Sequence, residues 1–163
     1  MAAASEVRRP QVISERRRVA DRIALGDTAT LEDGPALLRH LRAPVPGETF
    51  ALGTAIHPLT TVPLGLAIDA AILAANGRTL SISHLRYCSF SMERGIATDP
   101  PRPLRAIARV AELGAHHLEC VVEVREDEHL ICQARIGLCQ VREGRAAPLG
   151  QFYVFDGESA PVG

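Results

Sequence analysis

Val62 to Ala75, VPLGLAIDAAILAA, is an apolar run broken by a single charge, Asp69. Pro63 and Gly65 open it and Asn76-Gly77 closes it, so the stretch predicts one helix. Proline suits a first helical turn, and glycine suits the position just past the last. A helix apolar on all sides has to be wrapped rather than laid on a surface. A carboxylate inside it is expensive unless it is paired or put to use. Burial raises a carboxyl pKa, a common route to a general acid or base. Asp69 is therefore the first candidate for chemistry.

The flanking sequence says what does the wrapping. Residues 48–56 read as a strand, with Phe50, Leu52 and Ile56 apolar. After the helix, RTLSISHLRYCSF (78–90) alternates Leu80, Ile82 and His84 with small polar residues. Three further strands are expected at 104–113, 116–126 and 129–141; in the last, Leu130, Cys132, Ala134, Ile136 and Leu138 recur with period two. Gly114 and Glu126-Asp127-Glu128 supply tight reversals, so the three form an antiparallel meander. The simplest arrangement is an α+β fold with an antiparallel sheet curled around one long helix. Upstream, ERRRVADRIAL (15–25) reads as helical, and Asp33-Gly34-Pro35 starts a second short helix over 35–42. The expected organisation is an N-terminal arm with short helices (1–47), a central domain (48–141) and a tail (142–163) with a possible short strand at QFYVF.

Composition narrows the partners. The chain has 163 residues, 47% hydrophobic and 23% charged, with a net charge of -1. That balance gives no case for nucleic acid or an anionic membrane. All 18 basic residues are arginine, read here as a feature of a GC-rich genome rather than of a site. The apolar run is too short to span a bilayer, and the N-terminus lacks the apolar core of a signal peptide, so the expected location is the cytoplasm. Cys88, Cys120, Cys132 and Cys139 show no CxxC spacing, which argues against a metal site. They read as small buried thiols, with a Cys120–Cys132 disulfide left open because the two flank one hairpin.

This layout resembles the hotdog superfamily, in which a curved antiparallel sheet envelops a central helix. GRTLSISHLRYCSF resembles the strand after the hotdog helix in acyl-CoA thioesterases, and residues 104–138 resemble the superfamily's three-strand ending. The resemblance implies a homodimer, or a dimer of dimers, with sites between subunits. It also implies acyl groups carried as thioesters on coenzyme A or acyl carrier protein, in fatty-acid or polyketide-like metabolism. No cofactor is implied beyond the coenzyme A or phosphopantetheine of the substrate.

Two catalytic branches compete, and a third reading is not catalytic. In 3-hydroxyacyl-carrier-protein dehydratases an acidic residue follows a helix proline by six positions, as Asp69 follows Pro63. The histidine of that branch falls at Ala55 here, with His57 two residues away. In the thioesterase branch, favoured here, Asp69 acts as base or nucleophile, with Gly65 offering a backbone N–H in the first helical turn. The His-Gly-Gly phrase of one thioesterase group is absent. The third reading is a silent hotdog module that binds an acyl chain or scaffolds a partner. The candidate catalytic residues are thus Asp69 and His57, and the candidate substrate-binding residues are Pro63, Gly65, His84 and Arg86.

Overall fold

In the computed structural model, the residues described are 11–16, 22–33, 58–76, 82, 84–97 and 102–154. Their elements run β1 (Gln11–Arg16), β2 (Thr28–Asp33), α1 (Pro58–Asn76), β3 (His84–Met92), β4 (Leu104–Leu113), β5 (Leu118–Glu126) and β6 (His129–Cys139). A small hairpin, β7 (Val141–Arg142) and β8 (Arg145–Ala146), and a 3-10 turn at Gly150–Phe152 follow. Strands β1 to β6 form one antiparallel sheet in the order β1-β2-β4-β5-β6-β3, and α1 packs on β2, β4, β5 and β6.

The meander forms where its turn chemistry predicts. Glu126 pairs with His129 across a two-residue turn whose first residue, Asp127, takes a positive φ of 52°. Aspartate tolerates that conformation better than most side chains. The β4–β5 connection closes through Gly114 N–H donating to the His117 carbonyl at 2.8 Å. In β4 the burial alternates: Leu104, Ala106, Ala108 and Val110 face α1, while Arg105, Ile107 and Arg109 face out.

Alanine decides how closely helix and sheet meet. The helix turns Leu66, Ala67, Ala70, Ala71, Ala74 and Ala75 inward, all buried. The sheet opposes them with Ala29, Ala106, Ala108, Cys120 and Ala134. Where these small residues meet among the larger core side chains, the backbone is within reach of the sheet: the Cys120 thiol donates to the Ala71 carbonyl at 3.7 Å. Burial and the nearby Glu119 charge push that thiol up to about 12, so it stays a neutral packing group.

Several expectations change. Of the helix expected over 15–25, residues 15–16 belong instead to the strand β1, 22–23 form a bridge and Leu25 opens a turn with Gly26, while 17–21 lie outside the described residues. Val12 pairs with Leu31, and Leu31 with Ala106, so this segment extends the central sheet; pairing with a distant strand overrides local helix propensity. The helix of 35–42 and the strand of 48–56 lie outside the described residues. Cys120 and Cys132 are not cross-strand neighbours: Cys120 opposes Ile136 and Cys132 opposes Val124, and both thiols are free. Cys88 is exposed rather than buried. In the tail, Tyr153 makes a single parallel bridge to Ile23 rather than a strand, and its hydroxyl donates to the His117 carbonyl at 2.9 Å. Among the described residues no helix is long and apolar enough to cross a membrane.

Replacing Ala71 by leucine tests the close helix–sheet contact. Leucine keeps helix propensity high, so a loss reports on fit alone. The expected cost is about 1–3 kcal/mol from overpacking, read as a lower urea midpoint; an unchanged midpoint would mean that the seat has room.

Candidate functional site

Helix α1 begins at Pro58, so Pro63 lies inside it rather than in its first turn. Proline there cannot donate to the carbonyl of residue 59, four positions back. The correction matters most for Gly65. It is the eighth residue of the helix, beyond the first four whose N–H groups lack an intrahelical acceptor. Its amide belongs to the helical ladder and is not a free oxyanion donor. The amides without an intrahelical acceptor are instead those of residues 59–61.

Asp69 is not enclosed by the sheet. With Leu66, Ala67, Ala70 and Ala71 inward, the 3.6-residue period turns Asp69 to the opposite face, and it is exposed. Val62, Gly65, Ile72 and Leu73, all half-buried, surround it on that face. Among the described residues no hydrogen bond or ion pair to the Asp69 carboxylate is seen. The apolar setting desolvates its carboxylate and raises its pKa above the ordinary 3.8.

The other candidates are spread out. Pro63 is buried and Gly65 half-buried. His84 and Arg86 lie exposed on β3, and Arg86 occupies a bulge between the paired residues Leu85 and Tyr87. Arg86 Nη1 and His117 Nδ1 are 3.3 Å apart. No contact joins His84 or Arg86 to Asp69 among the described residues. His57 lies outside the described residues, so the Asp69–His57 pairing stays an expectation. Among the described residues no group of His, Cys, Asp or Glu is placed to hold a metal ion.

A polar cluster that the sequence did not reveal lies on the opposite face of the sheet. The Tyr87 hydroxyl donates to Glu119 Oε2 at 2.5 Å, and Arg135 Nη1 donates to Glu119 Oε1 at 2.6 Å. The Tyr87 ring lies directly over Gly137, where any added Cβ would overlap it. It also meets His117 edge-on, with centroids 5.9 Å apart. The Tyr87 hydrogen bond draws the Glu119 carboxyl below its ordinary value, outweighing desolvation, and Arg135 lowers it further. Desolvation, with the Glu119 hydrogen bond adding to it, pushes Tyr87 up to about 12. Three strands are tied together at this point. The local signals were a polar Glu119 inside a hydrophobic strand and a glycine opposite an aromatic; neither names its partner.

The two carboxylates give opposite pH signatures. Asp69 titrates higher in the folded state, so stability is lost as pH rises from 3.8 through its folded pKa. Asp69→Asn should therefore gain on the parent across that window; parallel unfolding curves at acid and neutral pH are to be compared, and a constant gap would refute the shift. Glu119 titrates lower, so its stabilisation is present above 4.5 and lost as pH falls through its folded pKa. Tyr87→Phe should cost about 1 kcal/mol at neutral pH and progressively less in acid; a loss independent of pH would argue that only ring packing matters.

No protein-family model matches the chain, and no curated protein does either. Solved structures do resemble it. A point mutant of the phenylacetic acid degradation protein PaaI from Thermus thermophilus is 17% identical, with a TM-score of 0.53, covering 81% of this chain and 93% of its own. The PaaI protein of the Escherichia coli phenylacetic acid degradation operon is 17% identical, with a TM-score of 0.51, over 79% of this chain and 81% of its own. At this identity the likeness speaks to architecture, and it agrees with one helix laid on a large antiparallel sheet: the chain has the hotdog fold.

Proposed function

We propose that this protein hydrolyses an acyl thioester carried on coenzyme A or an acyl carrier protein, with Asp69 as its catalytic carboxylate. The observation that carries this reading is the placement of Asp69: one acid, without a polar partner among the described residues, on the outward apolar face of α1. Holding a charge there has no packing benefit, and a desolvated carboxylate is a stronger base toward a bound water.

The reaction follows from these groups. Asp69 takes a proton from water as the water oxygen attacks the thioester carbonyl carbon. The carbonyl oxygen becomes an oxyanion, which backbone N–H donors stabilise by a few kcal/mol, roughly 3–4 per well-placed donor. The tetrahedral intermediate then collapses, the carbon–sulfur bond breaks, and the sulfur leaves as a thiol after taking up the proton. The amides of α1 that lack an intrahelical acceptor lie at residues 59–61, and Asp69 is eight or more residues along the same helix. At 1.5 Å per residue that is roughly 12 Å, too far for both to serve one carbonyl. The donors therefore come from the first turn of α1 in a second copy, which also covers the apolar stripe around Asp69. A homodimer, alone or paired into a dimer of dimers, is the expected form. In sequence His57 directly precedes that first turn, and His84 and Arg86 remain the proposed contacts for the polar part of the carrier.

Incubating the protein with acyl-CoA, acyl-carrier and 3-hydroxyacyl thioesters tests the assignment. Free thiol should be released, and Asp69→Asn should lower the rate at least about 100-fold while leaving a folded dimer by sedimentation. An enoyl product would move the assignment to dehydration with His57 as partner. No product from the parent on any substrate would leave an acyl-binding module.

A further inference from the structure

The outer face of the sheet carries a groove of about 390 Å³ that the reaction at α1 does not use. Its wall and floor come from β3, β4, β5 and β6, and Arg109, Arg135, Ser89, Glu123, Gln133 and Val121 line it. The register builds it in rows. Arg109 opposes Val121, Val121 opposes Arg135, and Arg135 opposes Ser89. Strands lie roughly 4.8 Å apart, so the two arginines rise about 10 Å from each other on either side of a short valine. The next row holds Glu123, Gln133 and Ser91.

The charges of this groove do not cancel. Glu119 is taken by Arg135 and Tyr87, and Glu123 accepts from Arg125 Nε at 3.1 Å and Nη2 at 3.0 Å. Each acid thus has its own arginine. The Arg109 side chain makes no hydrogen bond or ion pair among the described residues, and the same is true of the Ser89 hydroxyl and the Gln133 side-chain amide. The Arg135 guanidinium is held in place by Glu119 through one nitrogen and keeps further N–H donors. The first row therefore offers donors and one uncompensated positive charge. The second offers a carboxylate whose charge is already balanced.

We propose that this groove binds a small phosphate ester with a hydroxyl-bearing body. Arg109 and Arg135 share the phosphate, Ser89 adds a donor, and the Glu123 and Gln133 row accepts from the ligand's hydroxyls. One guanidinium satisfies the two oxygens of a carboxylate, whereas two guanidinia flanking a gap match the three free oxygens of a phosphate. The volume is within the range of small-ligand sites. The groove lies on the face of the sheet away from α1, so this site is separate from the thioester chemistry and does not depend on it.

The test uses the full chain at constant ionic strength, with inorganic phosphate, ribose 5-phosphate and adenosine monophosphate titrated separately by calorimetry. At least one should bind saturably, with the esters tighter than inorganic phosphate. Arg109→Ala should weaken binding by about tenfold or more, and Ser89→Asp, which places a carboxylate at the end of the row, should abolish it. Arg102→Ala is the control, an exposed arginine paired with Asp127 outside the groove, and should change nothing. Saturable binding by none of the three probes overturns the proposal, as does binding that Arg109→Ala leaves unchanged. Tighter binding of adenosine monophosphate than of ribose 5-phosphate would assign a nucleotide, and the reverse a sugar phosphate.

Discussion

The close approach of α1 to the sheet, made possible by alanine on both surfaces, governs the rest of the molecule. Ala67, Ala70, Ala71 and Ala74 share one buried core with Ala106, Ala108 and Ala134 of the sheet, alongside larger residues such as Val122 and Ile136. Such a contact gains dispersion from backbone and Cβ atoms rather than from large side chains, and it tolerates little added volume. It also fixes the helix rotation. A turn about the axis in either direction would drive half-buried Ile68 or Leu73 into the seat, so Asp69 is held outward with its apolar neighbours.

That rotation explains why one chain looks incomplete. Strand β3 is exposed on both faces, with Leu85, Tyr87 and Met92 in solvent, and α1 keeps an apolar outward stripe around its one acid. Neither surface is typical of a finished monomer. On the opposite face the same sheet is polar, with Arg109 left unpaired among the described residues. Cross-strand pairs such as Arg105–Glu32 at 3.0 Å and Arg135–Glu119 at 2.6 Å occupy most of its charges.

The sequence made the central features legible because they depend on local pattern. The apolar run marked α1 and its end at Asn76, and period-two alternation with turn residues marked the β4–β6 meander. The start of α1 was misplaced by four residues because Pro63 fits a first turn, a preference that the helix overrides. The helix expected over 15–25 was a misreading at its described residues, because β1 and the bridge at Ile23 are set by pairing with segments that lie elsewhere in the chain. Which way Asp69 faces also needed the structure: a helix that is apolar all round gives no hydrophobic face to read. The Tyr87–Glu119–Arg135 cluster was invisible because it is assembled by strand register, bringing β3, β5 and β6 together over Gly137.

The strap that joins the two ends of the described chain has a kinetic meaning. Ile23 N–H donates to the Phe152 carbonyl at 2.7 Å and Val154 N–H to the Ile23 carbonyl at 2.8 Å, while Arg22 reaches the Tyr153 carbonyl across 131 residues. The meander closes through short turns, but β2 must find β4 across a stretch of chain that includes α1 and β3, as Glu32 does with Arg105 at a separation of 73 residues. Loop-closure entropy makes such pairings late events. The order of assembly then runs from the meander outward to the β1–β2 ribbon and last to the strap. Contacts formed after the transition state govern how fast a protein unfolds rather than how fast it folds. The strap therefore acts as a latch on the native state, lengthening its lifetime without hastening its arrival.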